Sequence, residues 1–128
     1  MPLSKQPLTI LRRLRQITGD GTLLFPSVRS LQRCISDNTL NAALRRMGYR
    51  KDEMTPHGFR SMAATRLNEM VRWPPDVIER ALAHQDANAV RRAYTSAVEY
   101  WPERVEMMQV WADYLDDLKT ARPVAVAA

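Results

Sequence analysis

The sequence predicts a mainly α domain with at most short extended segments. Apolar residues recur at helical spacing along most of the chain, serine, threonine and proline stand where helices would begin, and glycine stands where they would end. The one short apolar run that could be a strand, "TLLFPSV", is interrupted by Pro26. Proline cannot donate to a sheet ladder, so this run reads as an extended stretch threading along the core.

Each element follows in order. Ser4 is placed to cap a helix in which Leu8, Leu11 and Leu14 or Ile17 share a face, and the Gly19-Asp20-Gly21 turn ends it. "SDNTLNAALRRMGY" has its cap at Ser36 or Asp37, an Ala/Leu/Met body and Gly48 as the stop. Thr55 and Pro56 occupy cap and first-turn positions of a third helix running through Met62, Ala63, Leu67 and Met70. "WPPD" breaks it and opens "DVIERALAH", with Pro75 pre-set for a first turn, and "ANAVRRAY" reads as a short further helix. In "PERVEMMQVWADYLDDLK" the stripe Val105, Met108, Trp111, Leu115 and Leu118 is set against Glu, Asp and Gln.

With 128 residues and 45% hydrophobic content, the chain has the size of one domain with a core of its own. Residues 1–120 read as that domain and 121–128, "RPVAVAA" and the alanine before it, as a disordered tail. No run of eighteen apolar residues and no secretory leader is present, so the expected setting is the cytoplasm, without a membrane. Cys34 is the single cysteine and cannot form an internal disulfide; it reads as a small buried side chain.

Charge is unevenly distributed. Residues 1–50 carry nine Lys/Arg against Asp20 and Asp37, 9 − 2 = +7, and residues 51–128 carry ten against twelve Asp/Glu, 10 − 12 = −2. The arginine-rich first part suits a polyanion, because the guanidinium fork matches phosphate oxygens, although a set of solvated helix faces would look the same. Arg45, Arg46, Arg50 and Lys51 are the candidates for DNA contact.

The residues that suggest chemistry are His57 and Arg60 in "TPHGFR", His84 in "LAHQD" and Tyr94 in "RRAYTS". His57 and Arg60 are one helical turn apart and so share a face, where they could converge on one anion. Taken singly, each also fits a cap or core role. A metal hydrolase is a poor fit, because the two histidines lack carboxylate partners at ligand spacing and catalytic zinc needs three protein ligands. A helix-turn-helix DNA binder would need a polar groove-reading helix after a short turn, and none is convincing.

"TPHGFRSMAATRLNE", "PPDVIERALAHQDANAVRRAY" and "MMQVWADYLDDL" together resemble the carboxy-terminal half of the catalytic domain of a tyrosine recombinase of the prophage integrase type. The likeness extends upstream through "SDNTLNAALRRMGY" and "LFPS" to "PLSKQ". It implies the helical half of that domain and site-specific DNA recombination, the integration and excision of mobile DNA, through a 3′-phosphotyrosyl intermediate with neither metal nor nucleotide cofactor. Tyr94 matches the nucleophile, a phenol that ionises near 10 in water and so needs a base and a positive field. Arg60 matches the family's second arginine, a clamp on non-bridging phosphate oxygens. His57 matches the general acid/base position, and His84 the later histidine that donates to the phosphate. DNA is the implied partner and the nucleoid the implied location.

Two residues of the family pattern have no counterpart. The first arginine and the lysine that protonates the 5′ leaving oxygen would both precede Met1, and Lys51 is not assigned the lysine's role. Losing one preorganised donor costs on the order of 10²- to 10³-fold in rate and losing a general acid roughly 10²- to 10⁴-fold, so the isolated chain is expected not to cleave DNA. The alternative is a catalytically silent module that binds DNA weakly or pairs with a second copy or an intact integrase through the 103–118 helix, with Met108, Trp111 and Leu115 as anchors.

Overall fold

The computed structural model describes residues 2–19, 21–82 and 100–121. Among these are five α-helices and one two-stranded hairpin: α1 Lys5–Thr18, β1 Pro26–Ser27, β2 Ser30–Cys34, α2 Asp37–Arg46, α3 Pro56–Glu69, α4 Pro75–Ala81 and α5 Trp101–Thr120. The mainly helical reading holds. The "ANAVRRAY" segment and the expected tail beyond residue 121 lie outside the described residues.

The chain divides into two compact units, one made of residues 1–6 with 67–128 and the other of residues 7–66. In the discontinuous unit the core is Leu67, Trp73, Val77, Ile78, Ala81 and Met107, with Met70, Leu82, Tyr100, Met108, Val110 and Trp111 packed around it. Leu67, Ile78 and Met107 are fully buried. α4 is only seven residues long, too short to persist alone; burial of Val77, Ile78 and Ala81 along one side holds it.

α5 does not bury the stripe that its sequence suggests. Val105, Leu115 and Leu118 are exposed, and the inward positions are Arg104, Met107 and Ala112 with Met108 and Trp111 half-buried. The reason is Arg104, whose guanidinium lies over the Trp101 ring at 5.4 Å from its centroid. Its aliphatic stem occupies a place that a pattern of apolar letters assigns to another residue. In the segment between α3 and α4, Arg72 makes an ion pair with Glu106 and sits 4.9 Å over the Trp73 ring.

The first residues of the chain close this unit. Ser4 stands at the expected cap position and is buried, but its hydroxyl makes no cap bond. The amide of Lys5 instead donates to Gln109 Oε1 at 3.1 Å, so one of the free N–H groups at the start of α1 is satisfied from α5. Gln6 Nε2 and Gln109 Nε2 both donate to Asp113 Oδ1, at 2.7 and 2.8 Å. These two bonds, Gln6 first and Gln109 second, with the Lys5 charge nearby, hold the Asp113 carboxyl below the usual carboxylate range.

The other unit contains the rest of α1, the hairpin, α2 and the larger part of α3. Leu8, Leu11 and Leu14 of α1 are half-buried, while Ile17 is exposed. The expectation of a buried extended stretch at "TLLFPSV" is corrected. Pro26 and Ser27 form the short arm of an antiparallel hairpin with β2, its register irregular, and Leu24, Phe25 and Val28 are exposed. Cys34, expected to be buried, is exposed at the end of β2. A two-stranded ribbon has two edges and two faces, and this one covers neither face of Cys34.

α2 ends in a Schellman motif: the Gly48 amide donates to the Arg45 carbonyl at 3.0 Å and the Tyr49 amide to the Leu44 carbonyl at 3.1 Å. Gly48 holds φ at +96° to do so. Added bulk would meet no neighbour there, so the cost of a side chain is conformational alone. Gly48→Ala should lower the unfolding free energy by about 1–2 kcal/mol, read by urea denaturation at constant m-value. An unchanged midpoint would mean that this turn is not held in the left-handed conformation.

Candidate functional site

The segment between α2 and α3 is short and closed on itself. The Arg50 carbonyl accepts from the amides of Glu53 and Met54, each at 3.2 Å. Its own amide donates to Glu53 Oε2 at 2.7 Å, and its guanidinium pairs with Asp52 at 3.2 Å and Glu53 at 3.4 Å. Such exposed pairs contribute little stability, but they fix the turn. Lys51 at its tip is exposed.

Thr55 then caps α3. The Gly58 amide is shared by the Thr55 carbonyl at 2.9 Å and the Thr55 hydroxyl at 3.1 Å, and Pro56 fills the first helical position, where its missing N–H is no loss. His57 and Arg60 project from the first two turns. Three residues apart, they share a face; His57 is exposed and Arg60 half-buried. Neither side chain is hydrogen-bonded or ion-paired with a described residue. An imidazole that can take or give a proton and a guanidinium that can fork two oxygens thus stand together on accessible surface.

The glycine inside "PHGFR" has a structural reason that the sequence does not give. A Cβ at Gly58 would meet Met54 Sδ at 3.0 Å, so the Met54 thioether lies close over the first turn of α3 and would have to shift by a few tenths of an ångström to admit a side chain there. The signal that could have found it is the presence of glycine at a helical position three residues into a well-capped helix, where alanine would be the better helix former.

The four basic residues proposed for DNA contact divide by environment. Arg46 and Lys51 are exposed, and Arg50 is engaged with Asp52 and Glu53. Arg45 is half-buried, its Nε directed at the Asn41 carbonyl at 3.4 Å and its Nη2 bonded to the Met54 carbonyl. His84 and Tyr94 lie outside the described residues. Among the described residues no group of three or more His, Cys, Asp or Glu is placed to hold a metal ion. No described helix is long and apolar enough to cross a membrane.

Comparison with known proteins adds to this geometry. The model of the phage integrase family matches residues 1–99, more than three quarters of the chain. The chain belongs to the phage integrase family. Its match to that family includes His57, Arg60, His84 and Tyr94 and stops just before α5. The integrase of Enterobacteria phage P4 is 50% identical over 117 residues, covering 91% of this chain and 27% of the relative. Prophage integrase IntA of Escherichia coli (strain K12) is 45% identical over 113 residues, 88% of this chain and 27% of the relative. The protein IntB of the same strain is 44% identical over 117 residues, 91% of this chain and 30% of the relative. The chain therefore spans less than a third of the length of these relatives. No solved structure matches it.

Proposed function

We propose that this chain is the carboxy-terminal catalytic segment of a site-specific DNA recombinase that integrates and excises mobile DNA. In this reading Tyr94 Oη attacks the scissile phosphorus, forming a 3′-phosphotyrosyl bond as the bond from phosphorus to the 5′ oxygen breaks. His57 accepts the tyrosine proton, while Arg60 and His84 hold the non-bridging oxygens on which negative charge builds. The leaving 5′ oxygen takes its proton from an acid outside this chain, and attack by a 5′ hydroxyl on the phosphotyrosine reverses the step on a new partner strand. No metal or cofactor enters the sequence of bond changes.

What carries the reading is the pair His57 and Arg60, sharing one face of a capped helix start with no partner among the described residues, in a chain whose family match extends through His84 and Tyr94. DNA is the partner that this chemistry requires, and exposed Arg46 and Lys51 would add salt-sensitive phosphate contacts.

The test replaces the matching 117 residues of the phage P4 integrase with those of this chain and incubates the chimera with a pool of randomised nicked duplexes. A protein–DNA adduct surviving denaturing electrophoresis is the expected result, and its absence while the chimera still binds DNA would refute the reading. The 128-residue chain assayed alone on the same pool is expected to give no adduct. Capture by the isolated chain would show that it needs neither of the two missing family residues. A silent regulatory module remains the second reading, favoured by the exposed Val105, Leu115 and Leu118 of α5 as a surface for another chain.

A further inference from the structure

We propose that Arg45 is a positioning residue of the recombination site: it holds the peptide that precedes α3 and thereby sets where His57 and Arg60 stand. The proposal rests on the catalytic reading of those two residues and reverses the expectation that Arg45 touches DNA.

Arg45 is half-buried, unlike its exposed neighbour Arg46, and its guanidinium is turned inward. Nε faces the Asn41 carbonyl one turn back on α2 at 3.4 Å, which fixes the fork against its own helix, and Nη2 reaches the Met54 carbonyl nine residues on. Nη1 is buried without a hydrogen-bond partner. A phosphate contact needs a guanidinium nitrogen free to reach outward; here two are committed to main-chain oxygens and the third is enclosed.

The Met54 carbonyl belongs to the peptide that leads directly into Thr55. Rotation of that peptide would carry the Thr55 hydroxyl off the Gly58 amide, a bond now 3.1 Å long, and tilt the first turn of α3. The other end of Met54 makes the same connection, since its thioether lies where a Gly58 side chain would be. One residue is thus held at its carbonyl by Arg45 and packs with its side chain on the turn that carries His57. The Schellman turn at Gly48 and the Arg50 turn fold the chain between the two partners back on itself.

Three measurements on Arg45→Ala and Arg45→Lys test this. In the 128-residue chain, Arg45→Ala should move the backbone amide resonances of Met54, Thr55, His57 and Gly58, and Arg45→Lys, which keeps one donor, should move them less. Unmoved His57 and Gly58 amides in Arg45→Ala would overturn the proposal. In DNA binding by the chain, affinity and its salt slope should not change. A slope shallower by about 0.9 would show that Arg45 neutralises a phosphate, and the positioning role would be withdrawn. In the phage P4 chimera, single-turnover adduct formation should fall about 10- to 100-fold in Arg45→Ala, the loss expected when a reacting group is displaced by roughly an ångström, with part restored in Arg45→Lys. Full-rate cleavage by Arg45→Ala would count against the proposal. Absence of any adduct in the unsubstituted chimera would instead refute the catalytic reading, and the resonances with the salt slope would then decide Arg45 alone.

Discussion

Tyr94→Phe in the phage P4 chimera should abolish the covalent protein–DNA adduct while leaving DNA affinity unchanged. The substitution keeps the ring and removes only the oxygen that would bond to phosphorus. A phenyl group cannot take that place, and water attacking instead would leave no protein on the DNA. The adduct should fall by at least ~10⁴-fold, the scale seen when a nucleophile is removed from an enzyme that forms a covalent intermediate. The chain holds four tyrosines, Tyr49, Tyr94, Tyr100 and Tyr114, so the experiment also has an informative failure. Persistent adduct in Tyr94→Phe would remove Tyr94 from the role of nucleophile, and among this chain's tyrosines Tyr100 is the first to substitute because it lies six residues on, at the start of α5.

The second large effect is on stability. Ile78→Ala should lower the unfolding free energy of the discontinuous unit by about 2–5 kcal/mol, the range for truncating a fully buried aliphatic side chain whose surroundings relax only in part. Ile78 has no exposed surface and contacts a cluster built from α3, α4 and α5, so the cavity would open among three helices. Domains of this size are stable by only about 5–15 kcal/mol, and a large share of that would be lost. The readout is convenient: all three tryptophans, Trp73, Trp101 and Trp111, lie in this unit, so tryptophan fluorescence in urea follows it. An unaltered midpoint would show that the core does not centre on Ile78.

Much of this architecture was legible because helices announce themselves locally. The α2 stop was readable at Gly48 and the α3 start at Thr55-Pro56, since both depend on backbone geometry that few residues supply. His57 and Arg60 were readable for a related reason: one helical turn fixes their common face whatever surrounds it. Features that depend on distant partners were not readable. β2, "SLQRC", has neither clean alternation nor a glycine or asparagine turn before it, and so gave no strand signal. Arg104 hid the inward face of α5 because a charged letter excludes itself from an apolar stripe. Arg45 looked like its neighbour Arg46, and only the Met54 carbonyl nine residues away distinguishes them.

The clasp between the first residues and α5 bears on how the protein is made. Gln6 and Asp113 are separated by 107 residues, so the unit they close cannot be completed until most of the chain has left the ribosome. At typical elongation speeds that is a wait of roughly 5–20 s. Residues 7–66, by contrast, form a continuous segment whose contacts are all available early. Vectorial synthesis therefore sets an order of assembly: the stretch with His57 and Arg60 can organise first, and residues 4–6 stay unpaired until α5 emerges to receive them.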